Sequence, residues 1–186
     1  MFEIIPNWHP IFVHYSIAAP TMALLLYIVI RIFPDRPFTA GMVSAARWML
    51  WLGAIITVAT VVAGYQAFDT VAHNAESHDA MVEHRNLARI AALSLWLIAI
   101  WSAINTRLNR RDGVEFLTAL VVVCGLFGFA GWKGGELVYR YGTGVIPMES
   151  VLNPPPAAPL IDSQPQLQEQ QEDQEQDDGH GHSHEH

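Results

Sequence analysis

The chain has 186 residues, 51% of them hydrophobic and only 15% charged, a composition too apolar for an ordinary soluble domain. Its formal charge of −8 comes from one end: residues 1–145 hold all ten Lys and Arg beside nine acids, whereas 146–186 hold nine acids and no base. A nucleic-acid binder with an extended basic face is thereby excluded, and the single cysteine, Cys124, excludes an internal disulfide and any Cys-pair metal or redox motif.

Four uncharged apolar runs follow in chain order at 11–30, 48–68, 90–106 and 116–132. A bilayer core about 30 Å thick needs roughly 20 helical residues, with about 17 as the lower limit, and all four runs qualify. Buried helices of a soluble bundle would carry a recurring polar stripe, but residues 50–63 offer only Thr57 and Thr60. The predicted fold is therefore all-α, an integral membrane four-helix bundle in 1–145 with spans near 11–33, 48–68, 87–107 and 115–139, followed by a disordered tail in 146–186.

Residues 1–10 contain no Lys or Arg, so the first run lacks the positive flank of a cleaved signal peptide and is expected to be retained. Pro10 suits a first helical turn, and Pro20 is expected to kink the same span. His9, held before Pro10, is pushed away from helical geometry, whereas His14 is expected to face the bundle interior. In the second run Gly53, Thr57, Thr60 and Gly64 are small enough for a neighbouring backbone to come close. The next connection brings His73, His78 and His84, and the helical propensity of 74–84 suggests a third helix that rises out of the bilayer. One continuous helix would align His73 with His84 and leave His78 off that line. The fourth run carries Gly125, Gly128, Gly131 and Gly135 as a strip without side chains. Trp8, Trp48, Trp51, Trp101, Trp132 and Tyr139 collect near span ends, as interfacial aromatics do.

Cations beside the spans set the expected orientation. Arg31, Arg36, Arg47, Arg107, Arg110 and Arg111 flank one side, against Arg85, Arg89, Lys133 and Arg140 on the other. The first side is assigned to the cytosol, which places both termini and all five histidines of 1–145 outside, in the periplasm of a bacterium. The tail, first Pro-rich and then rich in Gln and acids, ends in His180, His182, His184 and His186, a flexible ligand set for Zn²⁺, Cu²⁺ or Ni²⁺.

Two imidazoles on different helices, about one turn inside the interface, match the axial ligation of a b-type haem. His14 and His84 are the first candidates, with His9 and His78 next, and Arg85 and Arg89 would meet the propionates. Lys133 and Arg85 have the alternative of pairing with Glu136 and Glu83. Direct binding of Zn or Cu by the same histidines, His73 and the tail included, with Asp69, Glu76, Asp79 or Glu83 completing the set, is the second reading. A structural subunit of a larger membrane complex or homo-oligomer is the third. No residue set qualifies as catalytic acid, base or nucleophile, and no HExxH motif appears.

The segment Asn7-Trp8-His9-Pro10-Ile11-Phe12-Val13-His14-Tyr15-Ser16-Ile17-Ala18 and the segment Gly134-Gly135-Glu136-Leu137-Val138-Tyr139-Arg140-Tyr141-Gly142-Thr143-Gly144-Val145 resemble the opening and closing motifs of a bacterial four-span membrane family, domain of unknown function 2231. His78 or His84 matches the histidine that the family carries before its third span. Tyr15-Ser16 stands where Phe-Pro is usual. The resemblance implies a multi-pass protein of the bacterial inner membrane. Some relatives are joined to electron-transfer domains, so the resemblance points toward redox work without implying a defined activity; under the haem reading the partners expected are the quinone pool or a redox partner.

Overall fold

The computed structural model describes residues 7–145. Among them are four helices, α1 (His9–Ile32), α2 (Thr39–Thr70), α3 (Ala75–Arg107) and α4 (Val114–Tyr139), and no strand. All four are long and apolar enough to cross a membrane. The tail, with His180, His182, His184 and His186, lies outside the described residues.

Local chemistry accounts for the helix ends. At the start of α1 the His9 backbone N–H donates to the Asn7 side-chain oxygen at 3.0 Å, and Pro10 occupies the first turn, where a missing N–H costs nothing. Asn74 and Ser77 form a reciprocal capping box that starts α3 above its apolar run. His73 therefore precedes the helix, so its alignment with His84 along one helix does not arise. At the end of α4 the chain turns through Gly142 at φ 63°, and the Thr143 N–H donates back to the Leu137 carbonyl at 3.0 Å. A left-handed residue closing a helix in this way favours glycine.

Each helix packs on two others, α1 and α3 each on both α2 and α4. The pairs α1/α3 and α2/α4 are thus the diagonals of the bundle. Leu50, Leu95, Phe116 and Leu120 are fully buried at its centre, with Ala23, Ala46 and Ala91 where the backbones approach. Gly53 admits Pro20: a Cβ at Gly53 would lie 3.2 Å from Pro20 Cδ. Outside, Leu25, Leu52, Ile55, Leu93, Leu97 and Val122 are exposed, a surface that only lipid covers favourably. The protein is accordingly a membrane protein whose helices contact the bilayer.

The glycine strip of α4 behaves differently from a packing groove. A Cβ at Gly125, Gly128 or Gly135 would meet nothing within 4 Å, and only Gly131 touches another helix, through Ile17.

At the end of the bundle where α3 passes to α4, Asp112 gathers groups from three helices. Its carboxylate accepts from Tyr27 Oη of α1 at 2.9 Å, from Arg47 Nε of α2 at 3.1 Å and from Asn105 Nδ2 of α3 at 2.9 Å. Arg47 also donates to the Arg110 carbonyl at 3.2 Å. The Asp112 side chain is 3% exposed, and its charge is balanced where it sits.

Candidate functional site

The opposite end of the bundle, where α1 and α3 begin, holds the histidines. His9 projects from the first turn of α1 onto α2, and its Nδ1–H donates to the Thr60 carbonyl at 3.0 Å. His84 projects from α3 onto α4, and its Nδ1–H donates to the Ala130 carbonyl at 3.1 Å. A carbonyl can only accept, so each ring is fixed with its proton on Nδ1 and its Nε2 lone pair free. Among the described residues neither Nε2 makes a hydrogen bond. The two rings are half-buried neighbours, their centroids 6.4 Å apart and their planes inclined at 79°.

The same local device holds both rings. In a helix the side chain at position i+4 stands over the carbonyl of residue i. Here that position is a glycine each time, Gly64 over Thr60 and Gly134 over Ala130. A Cβ at Gly64 would lie 3.0 Å from His9 Cε1, and one at Gly134 would lie 3.1 Å from His84 Cε1. Each imidazole therefore occupies a notch left by a missing side chain and takes the carbonyl exposed at its floor. Below His9, Ser16 and Thr60 are joined at 2.6 Å between buried hydroxyls, which ties α1 to α2 about two turns further along α1.

His14 is exposed and bonds through its ring to the Pro10 carbonyl of its own helix, so the histidine that meets His84 is His9. His73 and His78 form a separate exposed pair, with His73 Nε2 and His78 Nδ1 3.0 Å apart and the rings stacked at 23°.

The cations of this end divide into two groups. Lys133 pairs with Glu83 and Glu136, each at 3.2 Å, and Arg140 pairs with Glu136 at 2.8 Å. Arg85 and Arg89 have no carboxylate partner among the described residues. Arg89 donates to Tyr65 Oη. The Arg85 guanidinium lies 4.3 Å from the Phe68 ring centroid, and its Nε is buried without a hydrogen bond. Asp69, Glu76, Asp79 and Glu83 do not converge on the histidines: among the described residues no group of three or more His, Cys, Asp or Glu is placed to enclose a metal ion.

Sequence reasoning singled out both histidines and Gly64, named Gly134 only as part of the closing family motif, and missed the two accepting carbonyls and the Asp112 cluster. The pattern of a glycine four residues after an uncovered carbonyl is visible in the sequence only once the partner ring is known. The signal for Asp112 was a lone acid directly after Arg110-Arg111 in a short connection.

Four apolar helices, a diagonal pair of anchored imidazoles at one end and a charged clamp at the other define a polytopic helical membrane protein with a polar centre near one interface. Residues 6–147 match the family described as predicted membrane protein, DUF2231. The chain belongs to that family. No curated protein and no solved structure matches it.

Proposed function

We propose that the protein binds a b-type haem between His9 and His84 and passes single electrons between a membrane donor, such as the quinone pool or a redox partner, and acceptors at the histidine end. The cation distribution favours an orientation with that end away from the cytosol, and the family resemblance favours the bacterial inner membrane, which would put that end in the periplasm.

The observation that carries this reading is the pair of imidazoles on diagonal helices. A metal held by both rings at about 2.0 Å would, with the ring radii added, separate the centroids by about 6 Å, and the rings here stand 6.4 Å apart. The residues present also fit in kind. Carbonyl partners on Nδ1 orient a ligating histidine and leave Nε2 for the metal. Gly64 and Gly134, on the other diagonal, leave the notches in which the two rings are seated. Arg85, which follows His84 in the chain and has no carboxylate partner among the described residues, would suit a propionate. A haem held by His9 and His84 would supply a one-electron couple. The work of the chain is then to hold two neutral rings at fixed spacing, neutralise the carboxylates and keep lipid and water from the metal.

An absorption spectrum of protein purified after haem-replete expression tests this. A Soret band is expected, lost in His9→Ala and in His84→Ala and retained in His14→Ala. A folded preparation with no Soret band overturns the proposal.

A further inference from the structure

The second histidine pair has a chemistry of its own. α2 ends at Thr70, the backbone of Val71 after it is extended, and α3 is capped at Asn74. His73 and His78 therefore occupy the residue before the cap and the fourth helical residue, the two positions that a hydrophobic staple brings side by side at a helix start. The capping box holds this turn through bonds of 2.9 Å in both directions between Asn74 and Ser77, and Phe68 packs against both rings at 6.2 and 5.5 Å. The pair is preorganised although both residues are exposed.

The hydrogen bonding fixes the protons. His73 Nδ1–H donates to the Val71 carbonyl at 2.7 Å, so His73 Nε2 carries a lone pair, and His78 Nδ1–H donates to it at 3.0 Å. Two nitrogens that each lie about 2.0 Å from one ion, at an angle between square and tetrahedral, are about 3 Å apart. The spacing of the pair already equals the bite of a chelated metal. The carbonyl on His73 Nδ1 is the kind of outer partner that ligating histidines use.

We propose that His73 Nε2 and His78 Nδ1 form a two-nitrogen chelate for Cu²⁺ at the surface, with water completing a tetragonal shell. On binding, the His78 proton moves from Nδ1 to Nε2, both imidazoles stay neutral, and the ion replaces the shared hydrogen. Among divalent first-row ions Cu²⁺ binds such nitrogen and oxygen sites most tightly and takes that geometry. The site is independent of the haem reading, because it shares neither histidine with the His9–His84 pair.

The test uses the full chain in detergent with His180, His182, His184 and His186 replaced by Ala, so that the tail does not compete. Titration with Cu²⁺, read by equilibrium dialysis and electron paramagnetic resonance, is expected to give one ion per chain with coupling to two nitrogens. His73→Ala and His78→Ala are each expected to weaken binding by at least about tenfold, the smaller loss seen when only an outer partner of a ligand is removed. Both variants should keep any Soret band, and His9→Ala should keep the copper. The proposal is overturned if the tail-substituted chain, helical by circular dichroism, binds no Cu²⁺, or if both single substitutions leave affinity and nitrogen coupling unchanged.

Discussion

The side chain absent from Gly134 determines where His84 can rest. The next smallest residue would place a carbon 3.1 Å from the ring, tight enough to move it by a few tenths of an ångström. In Gly134→Ala the gain in helix propensity, about 1 kcal/mol, offsets the weakened hydrogen bond, about 0.5–1.5 kcal/mol, and little net change follows. Gly134→Val is different, because overpacking adds about 1–3 kcal/mol and the ring must leave its notch. Denaturant titration should show that loss for Gly134→Val and Gly64→Val, with the Nδ1–H signals of the rings shifted in nitrogen-15 spectra. Gly128→Val, where a Cβ meets nothing within 4 Å, should leave both readouts unchanged. Equal effects at all three positions would remove the special role of Gly64 and Gly134. These residues also mark where sequence reading stops. His9 and His84 stood out as polar residues at the ends of apolar runs, but what orients them is a backbone carbonyl and a missing side chain more than forty residues away along the chain. Neither leaves a mark in composition or periodicity, and the periodic strip in α4 drew attention to glycines that mostly face open space.

At the level of whole helices the frame was readable, because runs too apolar for water must cross the bilayer and connections of a few residues force antiparallel neighbours. The helices reach beyond those runs, as expected from the helical propensity of 74–84 for α3 but not for the start of α2. α3 starts at Ala75 because the Asn74–Ser77 box starts it there, and α2 begins at Thr39, well before its apolar stretch. What secures the helix ends opposite the histidines is Asp112, which bonds one residue from each of α1, α2 and α3 just before α4 begins. Asp112→Ala leaves the Arg47 guanidinium and the Tyr27 hydroxyl without their acceptor. Breaking a fully buried pair costs about 3–5 kcal/mol, but Arg47 is 16% exposed and its long stem lets the charge reach water. A loss of about 2–3 kcal/mol is therefore expected in denaturant titration, with Asp112→Asn clearly milder because its carbonyl still accepts. Equal stability of Asp112→Ala and the parent would show that the clamp contributes nothing measurable.

The two ends of the bundle are chemically unlike: among the described residues one has imidazoles with open Nε2 atoms and two cations lacking acidic partners, the other a neutralised carboxylate among arginines. Orientation decides which of them the cytosol meets. With Cys124 replaced by Ala, a membrane-impermeant maleimide added to intact cells should label Ala72→Cys and reach Arg111→Cys only after lysis; the reverse pattern would place the histidines inside. The ring order of the helices carries one more consequence. His9 is seated by α2 and His84 by α4, so each half of the chain, as one helical hairpin, brings its own imidazole ready-aligned to a common seam. The gap between the rings then works like a caliper, set by how far the two hairpins slide or part and not by either anchor. A bilayer of different thickness, or a neighbour pressing on one hairpin, would tune the centre from a distance while every bond within each hairpin stayed intact.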